Sequence, residues 1–174
     1  MSEKTCRWKC SECGWESEKL SMRFIDNKPV CLNCLYGNVD PVSIWPIGFV
    51  GNDKKRSREA FGTTGGDVSR IRLSPGMARF MKGLAEETHL TIVWQLHESR
   101  PIKSVFRRGW DSKKVGPFAS RTPDRLAPIA VTDVELLEVK GTTLTVRGLD
   151  AVDGTPVLDI KVATESLRRT NKPK

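Results

Sequence analysis

Four of the five cysteines of this chain stand in two pairs, Cys10-x2-Cys13 and Cys31-x2-Cys34, with 17 residues between them. That is the spacing of a four-thiolate zinc site. Each CxxC can turn two thiolates to one side of a tight bend. A short hairpin between the two bends closes a tetrahedral sulfur shell. Gly14, directly after Cys13, lets the first bend fold back, and Asp26-Asn27 supplies the turn of a hairpin between the pairs. Four thiolates leave no open coordination position, so the expected metal is structural. A redox pair or an iron–sulfur role is the alternative, and Cys6 reads as a spare thiol or a substitute ligand. A module of this size buries little core, so the metal must supply much of its folding energy. Trp8, Trp15 and Phe24 are expected to pack around the site.

The N-terminal stretch MSEKTCRWKC has no apolar segment of the secretory kind, which predicts a reducing, cytoplasmic setting and favours metal over disulfides. No apolar run approaches the roughly 20 residues of a membrane helix, so no membrane association is expected. The net charge of +8 is unevenly placed. Residues 41–130 hold 16 basic and 8 acidic side chains, while the segments on either side are balanced. A local excess of that kind attracts polyanions, nucleic acid foremost; the alternative is a solvated basic surface. The excess peaks around Phe106-Arg107-Arg108-Gly109-Trp110 and Lys113-Lys114. Arg107, Arg108, Lys113 and Lys114 can track phosphates, and Phe106 or Trp110 can stack on an unpaired base.

After Asp40-Pro41 the cysteines stop and two-residue alternation begins. Strands are expected over 43–50, Val68–Leu73, 90–96, 128–139, 142–149 and 157–162. Residues 51–67 and 98–116 read as loops. Ser74-Pro75 supplies an N-cap and a first-turn proline, and Met77, Phe80, Met81 and Leu84 follow at helical spacing, which predicts a short amphipathic helix over 76–87 with a core-facing stripe. Many strands and one helix predict a mainly β fold, a barrel or a highly curved sheet. The expected organisation is a zinc ribbon over 1–40, a β-barrel domain over 41–165 and a basic tail over 166–174. No internal repeat and no dinucleotide-binding glycine pattern is present.

Three stretches together resemble the TsaA-like family. Residues 148–161 read GLDAVDGTPVLDIK, where the family pattern is GLD-x-x-DGTPVLDIKPY. Residues 116–132 read GPFASRTPDRLAPIAVT, close to GVFATRSPxRPNPIGLS, and residues 88–97, THLTIVWQLH, are similar to a strand pattern ending in W-x-H. Ile47-Gly48-Phe49-Val50 matches an opening IGxV. The resemblance covers about residues 44–162, and the DGTPVLDIK run is its most specific part. It implies a small single-sheet β-barrel that forms a homodimer. It implies an S-adenosylmethionine-dependent methyltransferase acting on N6 of threonylcarbamoyl-adenosine beside the tRNA anticodon. Carried over residue by residue, the methyl donor would be held by His97, Glu98, Arg121, Val131, Val152, Asp153, Gly154 and Thr155.

No catalytic base is assigned; Asp159 and His97 are the nearest proton acceptors. The tRNA would meet Arg107, Arg108, Trp110, Lys113 and Lys114. Three departures bear on the acceptor: FGTTGGD stands near the family's PRQ segment, RLAPIA replaces RPNPIG, and Lys161-Val162-Ala163 replaces KPY. Two other readings therefore stay open. One is the same fold methylating a small metabolite or another macromolecule. The other is a non-catalytic zinc-ribbon adaptor for RNA or protein.

Overall fold

The computed structural model describes residues 7–54, 67–98 and 101–164. In chain order its strands are β1 (Arg7–Lys9), β2 (Glu16–Glu18), β3 (Met22–Ile25), β4 (Lys28–Cys31), β5 (Gly48–Gly51) and β6 (Val68–Leu73). They continue with β7 (His89–Gln95), β8 (Phe106–Arg107), β9 (Lys114–Val115), β10 (Ile129–Lys140), β11 (Thr143–Arg147) and β12 (Pro156–Val162). One short α-helix, α1 (Leu32–Tyr36), follows β4. The chain divides into two units. One comprises residues 1–43 and 99–127, the other residues 44–98 and 128–174. Among the described residues no helix is long and apolar enough to cross a membrane.

The second unit is a closed antiparallel barrel with strand order β10-β11-β6-β5-β12-β7. Alternation builds it. In β6, Ser69, Ile71 and Leu73 point inward while Val68, Arg70 and Arg72 face out. In β7, Leu90, Ile92 and Trp94 point inward. Ile71, Leu90, Ile92, Leu144 and Val146 are fully enclosed and form the centre of the core. The twelve-residue β10 serves two neighbours: its first half pairs with β7, its second with β11. The register on β11 shifts between Leu136 and Glu138, a bulge that bends the long strand and lets the sheet close on itself.

Gly48 explains the glycine of the IGxV stretch. A Cβ there would stand 2.4 Å from the Arg72 carbonyl oxygen and 2.8 Å from Leu73 Cα, both backbone of β6. Only a residue without a side chain lets β5 and β6 approach this closely. Gly48→Ala is expected to cost about 1–3 kcal/mol or more by forcing the strands apart. Urea unfolding of the barrel checks it; an unchanged midpoint would show that the backbone absorbs the methyl freely.

Several expectations are corrected. The strand expected over 43–50 begins only at Gly48, and Ile44 and Trp45 are exposed. The helix expected over 76–87 is two short 3-10 segments, Pro75–Phe80 and Leu84–Glu86. Gly76 and Gly83 weaken helix there by about 1 kcal/mol each relative to alanine, and Gly83 adopts a left-handed φ of 82° that breaks the run. Met77, Met81 and Leu84 still pack on the barrel core, but Phe80 is 74% exposed. The tighter 3-10 winding takes it off the buried stripe. The loop expected over 98–116 contains the β8–β9 hairpin. Trp15 is exposed instead of packing around the cysteines, whereas Trp8 and Phe24 meet edge to face at 4.9 Å. Cys6, the tail over 166–174 and all of FGTTGGD except Asp67 lie outside the described residues.

Candidate functional site

In the first unit Cys10, Cys13, Cys31 and Cys34 converge so that all four sulfurs lie within 4.8 Å of one another. Cys10 and Cys34 Sγ are 3.9 Å apart, and Cys13 and Cys31 Sγ 3.8 Å. Disulfides need about 2.05 Å. A tetrahedral shell with ~2.3 Å metal–sulfur bonds has edges of about 3.8 Å, which these spacings match. The local fold produces the convergence. Cys10 N–H donates to the Trp15 carbonyl and Gly14 N–H to the Cys10 carbonyl, closing the first bend, with Gly14 at φ 76°. Asp26 and Asn27 take the two left-handed positions of the β3–β4 turn, with φ 49° and 64°. Cys31 sits at the N-cap of α1, where its sulfur accepts the Cys34 N–H.

The Cys31 amide donates to Cys10 Sγ at 3.3 Å. Backbone donors from Cys13 and Cys31 hold the Cys10 thiol down at about 6, well below its usual range. The Cys34 thiol is pushed up, chiefly by its hydrogen bond with the Cys31 thiol and then by the other cysteines around it. Four thiols this close cannot all ionise without a cation between them. The donor set, spacing and amide support fit a zinc ion.

The same unit carries the basic hairpin. Arg108 is spent inside it: Nε and Nη2 bond to Asp111, Nη1 donates to the Ala119 carbonyl at 3.0 Å, and the guanidinium lies 4.6 Å over the Trp110 ring. The pairing pushes Arg108 up and holds the Asp111 carboxyl below its usual range. Arg107, Trp110, Lys113 and Lys114 are exposed, Arg107 with Nη1 on the Ser112 carbonyl. Arg121 is also exposed and belongs to this unit.

In the barrel, the GLDAVDGT stretch is the connection from β11 to β12, and it is pinned along its length. Thr132 Oγ1 donates to Asp150, and Trp94 Nε1 donates to Thr132 Oγ1 at 3.0 Å. Asn52, just after β5, is the hub. Its Nδ2 donates to the Ala151 carbonyl and to Ser69 Oγ, each at 3.0 Å, its Oδ1 accepts from Lys54 N–H, and its own N–H donates to Asp153 Oδ1. Lys54 Nζ reaches the Leu149 carbonyl at 3.3 Å. The amides of Asp153 and Gly154 bond to the carbonyls of Lys54 and Val50. What the loop does present is the exposed Asp153 carboxylate, fixed by Asn52, and Gly154 at φ 74°.

His97, exposed at the end of β7, shares a hydrogen bond of 3.4 Å with Thr155, whose side chain is fully buried. The structure thus brings His97 to the Asp153–Gly154–Thr155 turn. Val152 is buried and packs, Glu98 is exposed beside His97, and exposed Val131 pairs across β10–β7 with Val93. Asp159 accepts from Ile160 N–H and is ion-paired with Lys161, so its carboxylate is occupied. Asn52 and Ser69 escape a reading by motif. A lone asparagine in a polar connection carries no pattern, and Ser69 shows only as an inward position of β6.

A profile of the tRNA-methyltransferase O N-terminal domain matches residues 60–167. A "Probable S-adenosyl-L-methionine-binding protein" of Methanothermobacter thermautotrophicus is 37% identical over 129 residues, 72% of this chain and 93% of that protein. A "tRNA (adenine(37)-N6)-methyltransferase" of Mus musculus is 34% identical over 84 residues, 48% of this chain and 20% of that protein. A crystal structure of TrmO superposes with a TM-score of 0.61 at 21% identity, covering 78% of this chain and 63% of that one, and so shows a shared fold. The chain spans under two thirds of that solved chain and a fifth of the mouse enzyme.

Proposed function

This chain belongs to the tRNA-methyltransferase O N-terminal domain family, and from that membership we propose that it is an S-adenosylmethionine-dependent methyltransferase whose acceptor is N6 of threonylcarbamoyl-adenosine beside the tRNA anticodon. The observation that carries the proposal is the DGT turn joined to His97 through Thr155. The residues present suit a cationic donor. Asp153 offers a carboxylate that Asn52 N–H holds in place, and a fixed negative charge favours a sulfonium or an ammonium group nearby. A donor held there would supply an activated methyl group for the acceptor nitrogen. The chain's own task is alignment and proton removal. Val152, Asp153, Gly154 and Thr155 would hold the donor, with Glu98 and Val131 as flanking contacts, and His97 would take the proton. Arg121 remains assigned by the resemblance alone. Zinc on the four cysteines is structural in this reading, and the protein works as a cytoplasmic homodimer.

Calorimetry with S-adenosylmethionine and transfer of a labelled methyl group to total tRNA test the reading together. His97→Ala is expected to lower kcat by about 10²-fold or more, with the barrel still folded. Transfer to small-molecule extracts but not to tRNA would move the acceptor elsewhere, a reading favoured by Ala127 and Ala130 in RLAPIA. No donor binding at all would leave an adaptor.

A further inference from the structure

The cysteine ribbon and the charged insertion are stitched together at one edge. Ile102 forms a parallel bridge with Ile25, its N–H donating to the Phe24 carbonyl at 3.1 Å and its carbonyl accepting from Asp26 N–H at 2.8 Å. The Asp26 carboxylate accepts from both Ser104 N–H and Ser104 Oγ, which holds its carboxyl below the usual range. Tyr36 Oη, at the end of α1, donates to the Leu126 carbonyl. The insertion is therefore tied to the ribbon at both of its ends, and its first tie is the turn between the two CxxC pairs.

Charge separates the two parts sharply. Residues 1–43 hold six basic and six acidic side chains, residues 99–127 eight and two. Six of the chain's eight excess positive charges thus belong to 29 residues that the ribbon carries. The hairpin they form is preorganised. Arg108, bonded to Asp111 and Ala119, fixes the β8–β9 turn and covers one face of Trp110, yet Trp110 remains 72% exposed. A solvated basic face has no need of a large aromatic held up among cations. An unpaired base with its phosphates does.

We infer that the four-cysteine ribbon is the foundation of an RNA grip: it anchors residues 101–127 so that Trp110 stacks on an unpaired base while Arg107, Lys113 and Lys114 meet phosphates, and Arg108 positions the hairpin without touching RNA. The inference rests on the reading above that the acceptor is RNA. It assigns the metal to substrate affinity and leaves donor affinity, Arg121 apart, to the barrel.

The test uses the full, zinc-loaded chain and a fluorescent transcript of a tRNA anticodon stem–loop, with anisotropy read at low and moderate salt. Trp110→Ala is expected to weaken binding about tenfold with the salt slope kept. Lys113→Ala with Lys114→Ala is expected to lower the slope of log affinity against log salt by about 1.5–2. Asp26→Ala with Ser104→Ala removes the side-chain clasp of the stitch, leaving its backbone bonds and all of the metal ligands. It is expected to keep one zinc per chain and lose RNA affinity at least fivefold. Unchanged affinity in both the Trp110 and the stitch variants overturns the inference, as does equal binding of heparin and RNA. Donor calorimetry on the same samples separates the two readings. An intact grip without donor binding sinks only the methyltransferase, and donor binding with RNA affinity indifferent to these changes sinks only the grip.

Discussion

Stripping the metal, or replacing Cys31 with serine, is expected to unfold the ribbon while the barrel keeps its own cooperative transition. The ribbon's enclosed apolar set is Cys10, Met22, Val30 and Cys31, so half of it is the ligand sulfurs themselves. Ordering a residue costs about 1–2 kcal/mol of backbone entropy, which so small a core cannot offset over a segment of this length. Structural zinc contributes on the order of 10–16 kcal/mol in comparable peptides. Cys31 is the most damaging position because it is buried, bonds through its amide to Cys10, and caps α1 with its sulfur. Tryptophan fluorescence should follow Trp8 leaving Phe24, and calorimetry should show one surviving transition from the barrel. Identical unfolding with and without chelator would falsify the metal assignment.

The second large effect is expected at Asn52, which no motif contains. Asn52→Ala leaves the enclosed Ser69 hydroxyl, the Ala151 carbonyl and the Lys54 amide without the partners they now have. Losing such bonds costs about 1–3 kcal/mol for each group left unsatisfied, so a total of roughly 2–4 kcal/mol is expected after local relaxation. The consequence for function is larger than for folding. Asn52 holds the middle of the connection that presents Asp153, so affinity for S-adenosylmethionine should fall at least tenfold. Urea unfolding and donor calorimetry on one preparation measure both. A destabilised variant that binds the donor as the parent does would show that this loop is scaffold alone.

The elements that could be read from sequence are those whose signal is local. Four cysteines at CxxC spacing define their convergence, because a CxxC bend and a two-residue Asp26-Asn27 turn leave few other ways to place the sulfurs. The alternation of β6 and β7 states which side chains point inward, since a strand's faces are set by parity. The stretch over 76–87 departs from an α-helix for an equally local reason: a three-to-four-residue apolar spacing does not distinguish an α-helix from 3-10 turns, and Gly83 decides between them. The basic residues were legible as a cluster, but not that Arg108 would be consumed by Asp111 and Ala119.

By itself, then, the chain's sequence determined a metal-sized cluster of thiols, an inward and an outward face for β6 and β7, and a DGT turn of recognisable kind. Tertiary structure alone decided which partners those pieces meet. Asn52 reaches Ser69 and Ala151, His97 reaches Thr155, and Asp26 clasps Ser104, across sequence separations of 17 to 99 residues. Hydrogen bonds of that span have no periodicity to betray them. They exist only once strand pairing has fixed the register, and register is a property of the closed sheet, not of any one strand.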